Sequence, residues 1–258
     1  MLAIERKHEI LKKLQTEQRV LVSDLAAHYG VTEETIRRDL GKLEKEGHAT
    51  KTYGGAIWGN STKTDLSNTI RNKTNVEAKH TIAQLVASIV SDGDHLMLDD
   101  SSTSLYIAKQ IKDKKELNVI TNSVEIIVEL SDIKGWNIYS TGGRLKQDSL
   151  ALIGPQCQQM IQKFNVDKMF MSCKGLDIDA GITDSSEYHA SAKQAMLASA
   201  AQKILVLDSS KFNKVSFVKI AEIADIDMVI TDRRPSAQWL RRFEKLGVRF
   251  LFPAEQAQ

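Results

Sequence analysis

The chain has 258 residues, which is enough for one large domain or for a small domain joined to a medium-sized one. Its hydrophobic content of 42%, its charged content of 26% and its net charge of +2 are ordinary for a soluble protein, so charge alone does not indicate nucleic-acid binding. The two cysteines, Cys157 and Cys173, fit a reducing compartment, and no pattern predicts a metal site, a cofactor site, a signal peptide or a membrane span, so we expect a cytoplasmic protein.

The first predicted element is an amphipathic helix over residues 3–16. Its expected buried stripe consists of Ile4, Ile10, Leu11 and Leu14. Charged residues occupy the other positions, as expected for a helix with one face on a core.

A second short helix follows, with Val22, Leu25, Ala26 and Tyr29 at spacings of three and four. Gly30 ends it, because glycine readily adopts the left-handed conformation found at helix C-termini. A tight turn then leads into a third helix.

The third helix carries most of the residues that we expect to contact DNA. Thr32 caps its start, and the two glutamates that follow suit the positive end of the helix dipole. Gly41 interrupts the helix at a cost of about 1 kcal/mol relative to alanine. The apolar positions form the buried stripe, which leaves on the other faces Thr35, Arg37, Arg38 and Lys42.

A glycine-tipped hairpin over about 47–57 completes this region, and we expect Lys51 and Tyr53 to touch the DNA backbone or the minor groove. Two helices, a tight turn and exposed arginines on the second helix predict a helix-turn-helix. Residues 1–57 hold 10 Lys and Arg against 9 Asp and Glu, so the basic residues must be segregated to one face to bind DNA.

Three segments of this region carry a family resemblance. Residues 35–40 (Thr-Ile-Arg-Arg-Asp-Leu), Gly47 and residues 51–56 (Lys-Thr-Tyr-Gly-Gly-Ala) resemble the winged-helix signature of the DeoR family of bacterial sugar-operon regulators. The alternative is a helical hairpin whose arginines only solvate its surface, and it leaves the order of cap, hexapeptide and hairpin unexplained.

Residues 58–74 are polar and rich in serine, threonine and asparagine, which is typical of a linker. Beyond them, apolar strands alternate with helices, and this predicts an α/β domain with a mainly parallel sheet covered on both faces. The predicted domains are a winged helix-turn-helix over 1–57, a linker over 58–74 and an α/β domain over 75–258. The predicted helices of the α/β domain are 76–90, 102–112, 123–131, 187–201 and 236–246. The predicted strands are 94–99, 117–121, 136–140, 167–172, 203–207, 227–231 and 248–252, with an irregular stretch after residue 140.

Polar residues follow several of the predicted strands. In an open parallel sheet, ligands bind beyond the carboxyl ends of the strands, and a helix that begins there suits a phosphate. Each polar run taken alone is explained by helix capping, but several at one edge predict a binding site. The runs are Asp99-Asp100-Ser101-Ser102-Thr103, Thr121-Asn122-Ser123, Thr141-Gly142-Gly143, Cys173-Lys174-Gly175 and Asp208-Ser209-Ser210-Lys211.

This half of the chain resembles the sensor domain of the DeoR family, which is similar in fold to ribose-5-phosphate isomerase. Asp100 departs from the family pattern, because many members have a small residue there. The runs 171–177 and 208–212 are most similar to regulators of the fucose and rhamnose type. The strand-end runs and the front of helix 187–201 together give the expected effector site: Asp99, Ser101, Ser102, Thr103, Thr121, Asn122, Gly142, Gly143, Lys174, Glu187, Lys193, Asp208 and Lys211.

The sequence therefore predicts a DNA-binding transcriptional regulator. The resemblance implies a homo-oligomeric repressor, a dimer or a tetramer, that leaves its operator in a sugar-catabolic operon when it binds a phosphorylated sugar. One alternative is an activator of the same architecture. A second is a sugar-phosphate isomerase with a DNA-binding appendage, because an Asp or Glu beside a polarised carbonyl is able to act as a base.

Overall fold

The computed structural model describes residues 2–17, 19–46, 48–52, 54–58 and 68–254, and the chain forms two compact units, Met1–Leu66 and Ser67–Gln258. In the first unit, three strands form an antiparallel sheet in the order β1-β3-β2. The elements of this unit are the helices α1 (Ala3–Glu17), α2 (Val22–Tyr29) and α3 (Glu33–Lys45) and the strands β1 (Arg19–Leu21), β2 (Ala49–Thr52) and β3 (Gly55–Trp58).

The caps predicted for the first unit are confirmed. The Thr32 hydroxyl accepts a hydrogen bond from the Thr35 backbone N–H (3.3 Å), and Gly30 ends α2 in the left-handed conformation (φ 62°). The apolar stripes of the three helices meet in one core that includes Ile10, Leu14 and Ile36. The first unit is therefore the predicted winged helix-turn-helix.

The prediction of the buried α1 stripe is wrong at one residue. Ile4 is 68% exposed, whereas Arg6 takes the buried position one turn before Ile10. Ile4 precedes Ile10 by six positions, which turns the Ile4 side chain well away from the stripe, whereas Arg6 precedes Ile10 by four positions and stays on the stripe. A charged residue therefore occupies a site on the apolar face.

The second unit is the predicted α/β domain. Its helices are α4 (Asn68–Lys73), α5 (Val76–Ala87), α6 (Ser102–Gln110), α7 (Val124–Leu130), α8 (Pro155–Ile161), α9 (Glu187–Ala198) and α10 (Ala237–Leu246). Its strands are β4 (His95–Leu98), β5 (Asn118–Thr121), β6 (Asn137–Ser140), β7 (Arg144–Lys146), β8 (Ala151–Ile153), β9 (Val166–Met171), β10 (Gly175–Asp177), β11 (Gly181–Asp184), β12 (Ala200–Val206), β13 (Val218–Ala221), β14 (Met228–Ile230) and β15 (Arg249–Leu251).

Seven of these strands form one parallel sheet in the order β15-β14-β12-β9-β4-β5-β6. Alternate residues of β9 enter different cores: Met169 and Met171 lie in one cluster and Phe170 in another. The sheet is therefore buried on both faces, as the apolar strands predicted. The chain order reverses between β4 and β9, so the carboxyl ends of these two central strands flank the switch point of the sheet.

Several predicted boundaries differ from the structure. Helix 187–201 ends at Ala198, and residues 200–202 belong to β12 because they pair in parallel with β9. Helix 76–90 ends at Ala87. The stretch after residue 140 contains the hairpin β7–β8 and helix α8, and residues 68–73 of the predicted linker form α4.

Among the described residues, no helix is both long and apolar enough to cross a membrane.

Candidate functional site

Helix α3 presents a cationic face to solvent. Arg37, Arg38 and Lys42 are exposed, and Thr35 is half-buried with its hydroxyl 3.0 Å from the Thr32 hydroxyl. The Arg37 Nη2 atom donates to Glu33 Oε2 at 2.6 Å, one turn earlier on the same helix. Both side chains of this pair are about half exposed. The pair therefore costs little to rearrange when a stronger partner arrives.

Strand β2 adds a further cation beside α3. The Lys51 backbone N–H donates to Glu44 Oε1 at 2.9 Å, and the Lys51 Nζ atom lies 3.6 Å from Glu44 Oε2. A Cβ atom on Gly41 would lie 3.7 Å from Lys51 Nζ, which is an ordinary contact, so nothing close to α3 requires the glycine. Tyr53, the other predicted wing residue, lies outside the described residues.

A buried ion pair joins α3 to α1 on the side of α3 that faces away from the exposed cations. Arg6 Nε of α1 lies 2.7 Å from Asp39 Oδ2 of α3, and both side chains are buried. Asp39 belongs to the same hexapeptide as Arg37 and Arg38, but it points to the opposite side of the helix. The sequence motif therefore combines two exposed arginines with an anchor that fixes α3 against α1.

In the second unit, buried polar side chains gather at the carboxyl ends of β4, β5, β9, β11 and β12. We call this region the polar edge. Its buried members are Asp99, Asp100, Ser101, Ser102, Thr103, Ser104, Thr121, Asn122, Ser123, Ser172, Thr183, Asp184, His189, Lys193 and Asp208.

Asp99 links the carboxyl ends of the two central strands, β4 and β9. Its Oδ1 accepts from the Ser101 backbone N–H (3.1 Å) and from the Ser104 hydroxyl (2.6 Å), both at the start of α6. Its Oδ2 accepts from the Ser172 backbone N–H (2.9 Å), directly after β9. Both carboxylate oxygens are thus used by the fold.

Lys193 of α9 is buried between two carboxylates. Its Nζ atom lies 2.5 Å from Asp184 Oδ2 and 3.5 Å from Asp99 Oδ2. Burial raises the pKa of Asp184, but the Lys193 ammonium outweighs it and holds that pKa below its usual range. Burial likewise opposes the charge on Lys193, yet Asp184 and Asp99 raise its pKa. Asp184 and Lys193 are therefore charged at neutral pH.

Asp100 forms a second cluster beside the first. Its Oδ2 lies 3.1 Å from His189 Nδ1 and 4.0 Å from Arg71 Nη2, and its Oδ1 accepts from Asn122 Nδ2 at 3.3 Å. Burial favours the neutral carboxyl, but His189 outweighs it and lowers the pKa of Asp100. The Oδ1 atom of Asn122 is buried and has no hydrogen-bond partner among the described residues. One acceptor of this cluster is therefore unsatisfied.

Several predicted effector residues cap helices or turns. The Ser101 hydroxyl accepts from the Ser104 backbone N–H, the Thr121 hydroxyl from that of Ser123, and Asp208 Oδ1 from that of Ser210. Burial raises the pKa of Asp208, and Lys211 with the Ser210 hydrogen bonds lowers it further than burial raises it. Ser102 and Thr103 lie buried in the first turn of α6.

The other predicted residues lie at different depths. Gly142 and Gly143 have positive φ angles, and a Cβ atom on Gly143 would lie 2.6 Å from the Ile153 carbonyl oxygen, so only glycine fits there. Lys174 and Lys211 are half-buried, and Glu187 is exposed at the start of α9. Their contact with an effector stays a prediction.

Three ionisable members of the polar edge, Asp100, Asp184 and His189, were not among the predicted contacts, and neither was Arg71, which lies beside Asp100. His189 and Lys193 are four residues apart on α9, so helical spacing could have placed them on one face. Arg71 gave no signal, because the stretch around it is polar and was read as a linker. Its position at the polar edge depends on a tertiary contact.

Comparisons with known proteins give the same division of the chain. Residues 6–62 match the DeoR-like helix-turn-helix domain, and residues 74–233 match the DeoR C terminal sensor domain. Residues 63–73, which include the whole of α4, lie between the two matched regions.

Three relatives align with most of the chain. An uncharacterized HTH-type transcriptional regulator, YulB of Bacillus subtilis, is 40% identical over 90% of this chain and 90% of its own length. The putative aga operon transcriptional repressor of Escherichia coli O157:H7 is 32% identical over 97% of this chain and 94% of its own length. The L-fucose operon activator of Haemophilus influenzae is 34% identical over 88% and 91%. Among solved structures, ribose 5-phosphate isomerase from Plasmodium falciparum is similar at 14% identity and a TM-score of 0.36, covering 52% of this chain and 53% of that one.

Proposed function

The chain belongs to the DeoR family of transcriptional regulators, and we propose that it is a cytoplasmic repressor of a sugar-catabolic operon that a phosphorylated sugar releases from its operator. One observation carries the DNA-binding part: α3 has its apolar stripe and Asp39 buried, and it turns Arg37, Arg38 and Lys42 to solvent. A helix of this kind fits the major groove.

Buried uncharged polar groups support the sensing part of the proposal. The polar edge holds Ser102 and Thr103 in the first turn of α6, with the unsatisfied Asn122 Oδ1 in the same region. Helix N-termini and hydroxyl groups suit a phosphate, and amide oxygens accept from sugar hydroxyls. A phosphorylated sugar offers both kinds of group.

The mechanism that we propose is a shift of population. The effector favours an arrangement of the oligomer in which the α3 helices no longer match two half-sites of the operator. A homo-oligomer, dimer or tetramer, meets the need for two copies of α3.

An activator of the same architecture is the second candidate, because one relative is named as the activator of an L-fucose operon. Whether such a protein represses or activates transcription depends on where the operator lies relative to the promoter. Transcription from the neighbouring promoter, with and without the protein, distinguishes the two.

Catalysis as an isomerase is less well supported by the geometry. Asp99 and Asp184 are both engaged by Lys193, and Asp100 by His189, so these carboxylates are poorly suited to act as a base. Incubation with aldose and ketose phosphates, followed by product analysis, is the direct test.

Operator binding tests the DNA-reading assignment. Arg37→Ala and Arg38→Ala should each weaken operator binding at least fivefold, because a bidentate arginine contact to guanine contributes about 1–3 kcal/mol of discrimination. Neither residue lies on the buried stripe, so both variants should fold. The measurement is a titration of labelled operator at matched salt.

Arg241→Ala is the matched control, because Arg241 is an exposed arginine of α10 in the other unit. It should bind the operator like the parent protein. If Arg37→Ala and Arg38→Ala also bound like the parent, α3 would not be the helix that reads the operator.

A further inference from the structure

Helix α4 is the first described element of the sensor unit after the DNA-binding unit. Nine residues, 59–67, separate it from the end of β3. It carries Arg71, and it lies entirely in the stretch that neither family region covers. Helix α4 is therefore joined to the DNA-binding unit by a short length of chain.

Side chains of the sensor unit hold α4 from several directions. Asn68 Nδ2 donates to Glu125 Oε2 (2.7 Å), and Asn72 Nδ2 donates to Glu125 Oε1 (3.0 Å). The Tyr106 hydroxyl donates to the Asn72 carbonyl (2.9 Å). Lys79 Nζ donates to the carbonyl of Arg71 at 2.5 Å. Glu125 of α7 is thus an anchor that contacts α4 twice.

Arg71 itself is held loosely. Its Nη2 donates to the side chain of Asn68 on the same helix, but it lies 3.4 Å from the Asp100 carbonyl and 4.0 Å from Asp100 Oδ2. Its Nε is buried and has no hydrogen-bond partner among the described residues. A guanidinium offers five donors in a plane that suits phosphate oxygens. This one has donors to spare in a largely buried position.

The charges around Arg71 favour an anion. Burial lowers the pKa of Lys79 to about 8, and the cations of Lys211 and Arg71 also lower it, against the opposing effect of Asp208. Lys211 and Arg71 therefore each repel the charged form of Lys79. A dianion placed among them would relieve that repulsion, while Asp100 would oppose it.

We propose that Arg71 binds the anionic group of the effector and that α4 thereby passes the state of the sensor site to the DNA-binding unit. The proposal rests on the proposed function, since it assumes an effector that carries a phosphate. Asp100 and the effector then compete for one guanidinium. Effector binding moves the Arg71 side chain away from Asp100. Because Arg71 belongs to α4, this movement pulls on the hydrogen bonds between α4 and Glu125.

Phosphate binding to the full-length protein tests the first half. The probes are inorganic phosphate, glucose 6-phosphate, fructose 6-phosphate and fructose 1-phosphate, and the affinity of each is taken from the rise in melting temperature with concentration. Arg71→Gln should weaken the tightest probe at least tenfold. Asp100→Asn should tighten it several-fold, because it removes the competing charge. Arg241→Gln, the same change on an exposed arginine of α10, should leave it unchanged.

Operator binding with and without the tightest probe tests the second half. Glu125→Ala removes the anchor of α4, so it should cut the probe-induced change in operator affinity at least fivefold while probe affinity changes less than threefold. Glu129→Ala is the matched control, because Glu129 lies on the same helix and pairs with Lys109 and Lys112 instead. It should behave like the parent.

Two results would overturn the proposal while operator binding by the parent remains intact. One is that Arg71→Gln binds every probe like the parent, or that no probe up to 50 mM stabilises the parent. The other is that Glu125→Ala and Glu129→Ala respond identically. If Arg71→Gln does not fold, Arg71→Lys replaces it, since lysine keeps the charge and loses the planar donors. Loss of operator binding by the parent itself would instead refute the proposed function.

Discussion

At the scale of single residues, the polar edge combines charged groups that hold the fold with buried hydroxyl groups that we propose contact the effector. Asp99, Asp184 and Lys193 satisfy one another, and Asp99 also ties α6 to β9. Ser102 and Thr103 lie buried beside them in the first turn of α6. The charged residues therefore fix the position of the two hydroxyl residues.

Removal of one partner from the buried triad should be costly. Asp184→Asn leaves Lys193 with only the longer contact to Asp99, so we expect the free energy of unfolding to fall by about 3–5 kcal/mol. Urea unfolding of the full chain measures this. Lys219→Ala, which breaks an exposed pair with Glu222, should cost less than about 1 kcal/mol.

The same substitution should change the pH dependence. The pKa of Asp184 is lowered in the folded protein, so its contribution is present above its unfolded value near 3.9 and is lost as pH falls through the lower folded value. The raised pKa of Lys193 adds stability below its unfolded value near 10.4, which is lost only as pH rises through the higher folded value. Acid destabilisation should therefore be weaker in Asp184→Asn; an unchanged acid limb would contradict the assignment.

The sequence indicated the polar edge but not the partners within it. Runs such as Thr121-Asn122 stand out because they follow apolar strands, and their place at one edge comes from the parallel sheet. The pairing of Asp99 with Lys193 joins residues that are far apart in the chain, and Arg71 reaches Asp100 only through α4. No local pattern predicts contacts of that kind.

At the scale of elements, the wing depends on one close approach. A Cβ atom on Gly55 would lie 2.1 Å from the Val20 carbonyl oxygen, so β3 pairs with β1 only because residue 55 has no side chain. Gly41, by contrast, occupies a helix interior where a Cβ atom meets nothing closer than 3.7 Å.

This contrast gives a pair of opposite expectations. Gly55→Ala should destabilise the first unit by several kcal/mol and abolish operator binding, because backbone must move to admit the methyl group. Gly41→Ala should stabilise it by about 1 kcal/mol, because alanine is the better helix former. Circular dichroism melting of the two variants measures both, and a shift of the same sign in both would refute this reading of the glycines.

The sequence predicted most elements for physical reasons that the structure makes plain. Caps at Thr32 and Gly30 and the apolar stripes fixed α2 and α3 within a residue or two. The end of helix 187–201 was wrong because residues 200–202 pair with β9, and such pairing overrides helical continuity. Helix α4 went unnoticed because its six residues form no apolar stripe, and side chains of the sensor unit hold it in place.

At the scale of the whole molecule, sensing and DNA binding should be separable. Ser102→Glu places a negative charge in the first turn of α6, where it should fill the space of a phosphate and repel it. The variant should bind the operator within about threefold of the parent and fail to leave it when the effective sugar phosphate is added. Operator titration with and without that probe measures both.

Lys211→Ala is the companion variant, since it removes a half-buried cation without adding bulk. Normal release in both variants would put the effector elsewhere. Loss of operator binding in both would mean that these residues serve the fold or the oligomer.

The reversal of strand order at the centre of the sheet also has a consequence for synthesis of the chain. Strands β4, β5 and β6 leave the ribosome first and are neighbours in the sheet, but β4 gains its other neighbour only when residue 171 has been made. Until Ser172 and Lys193 emerge, the nascent chain holds Asp99 without the partners that make its burial favourable. The winged helix closes its core within its own first 58 residues, so it is complete while the sensor must wait. We therefore expect each ribosome to carry a folded winged helix before the sensor domain of the same chain is complete.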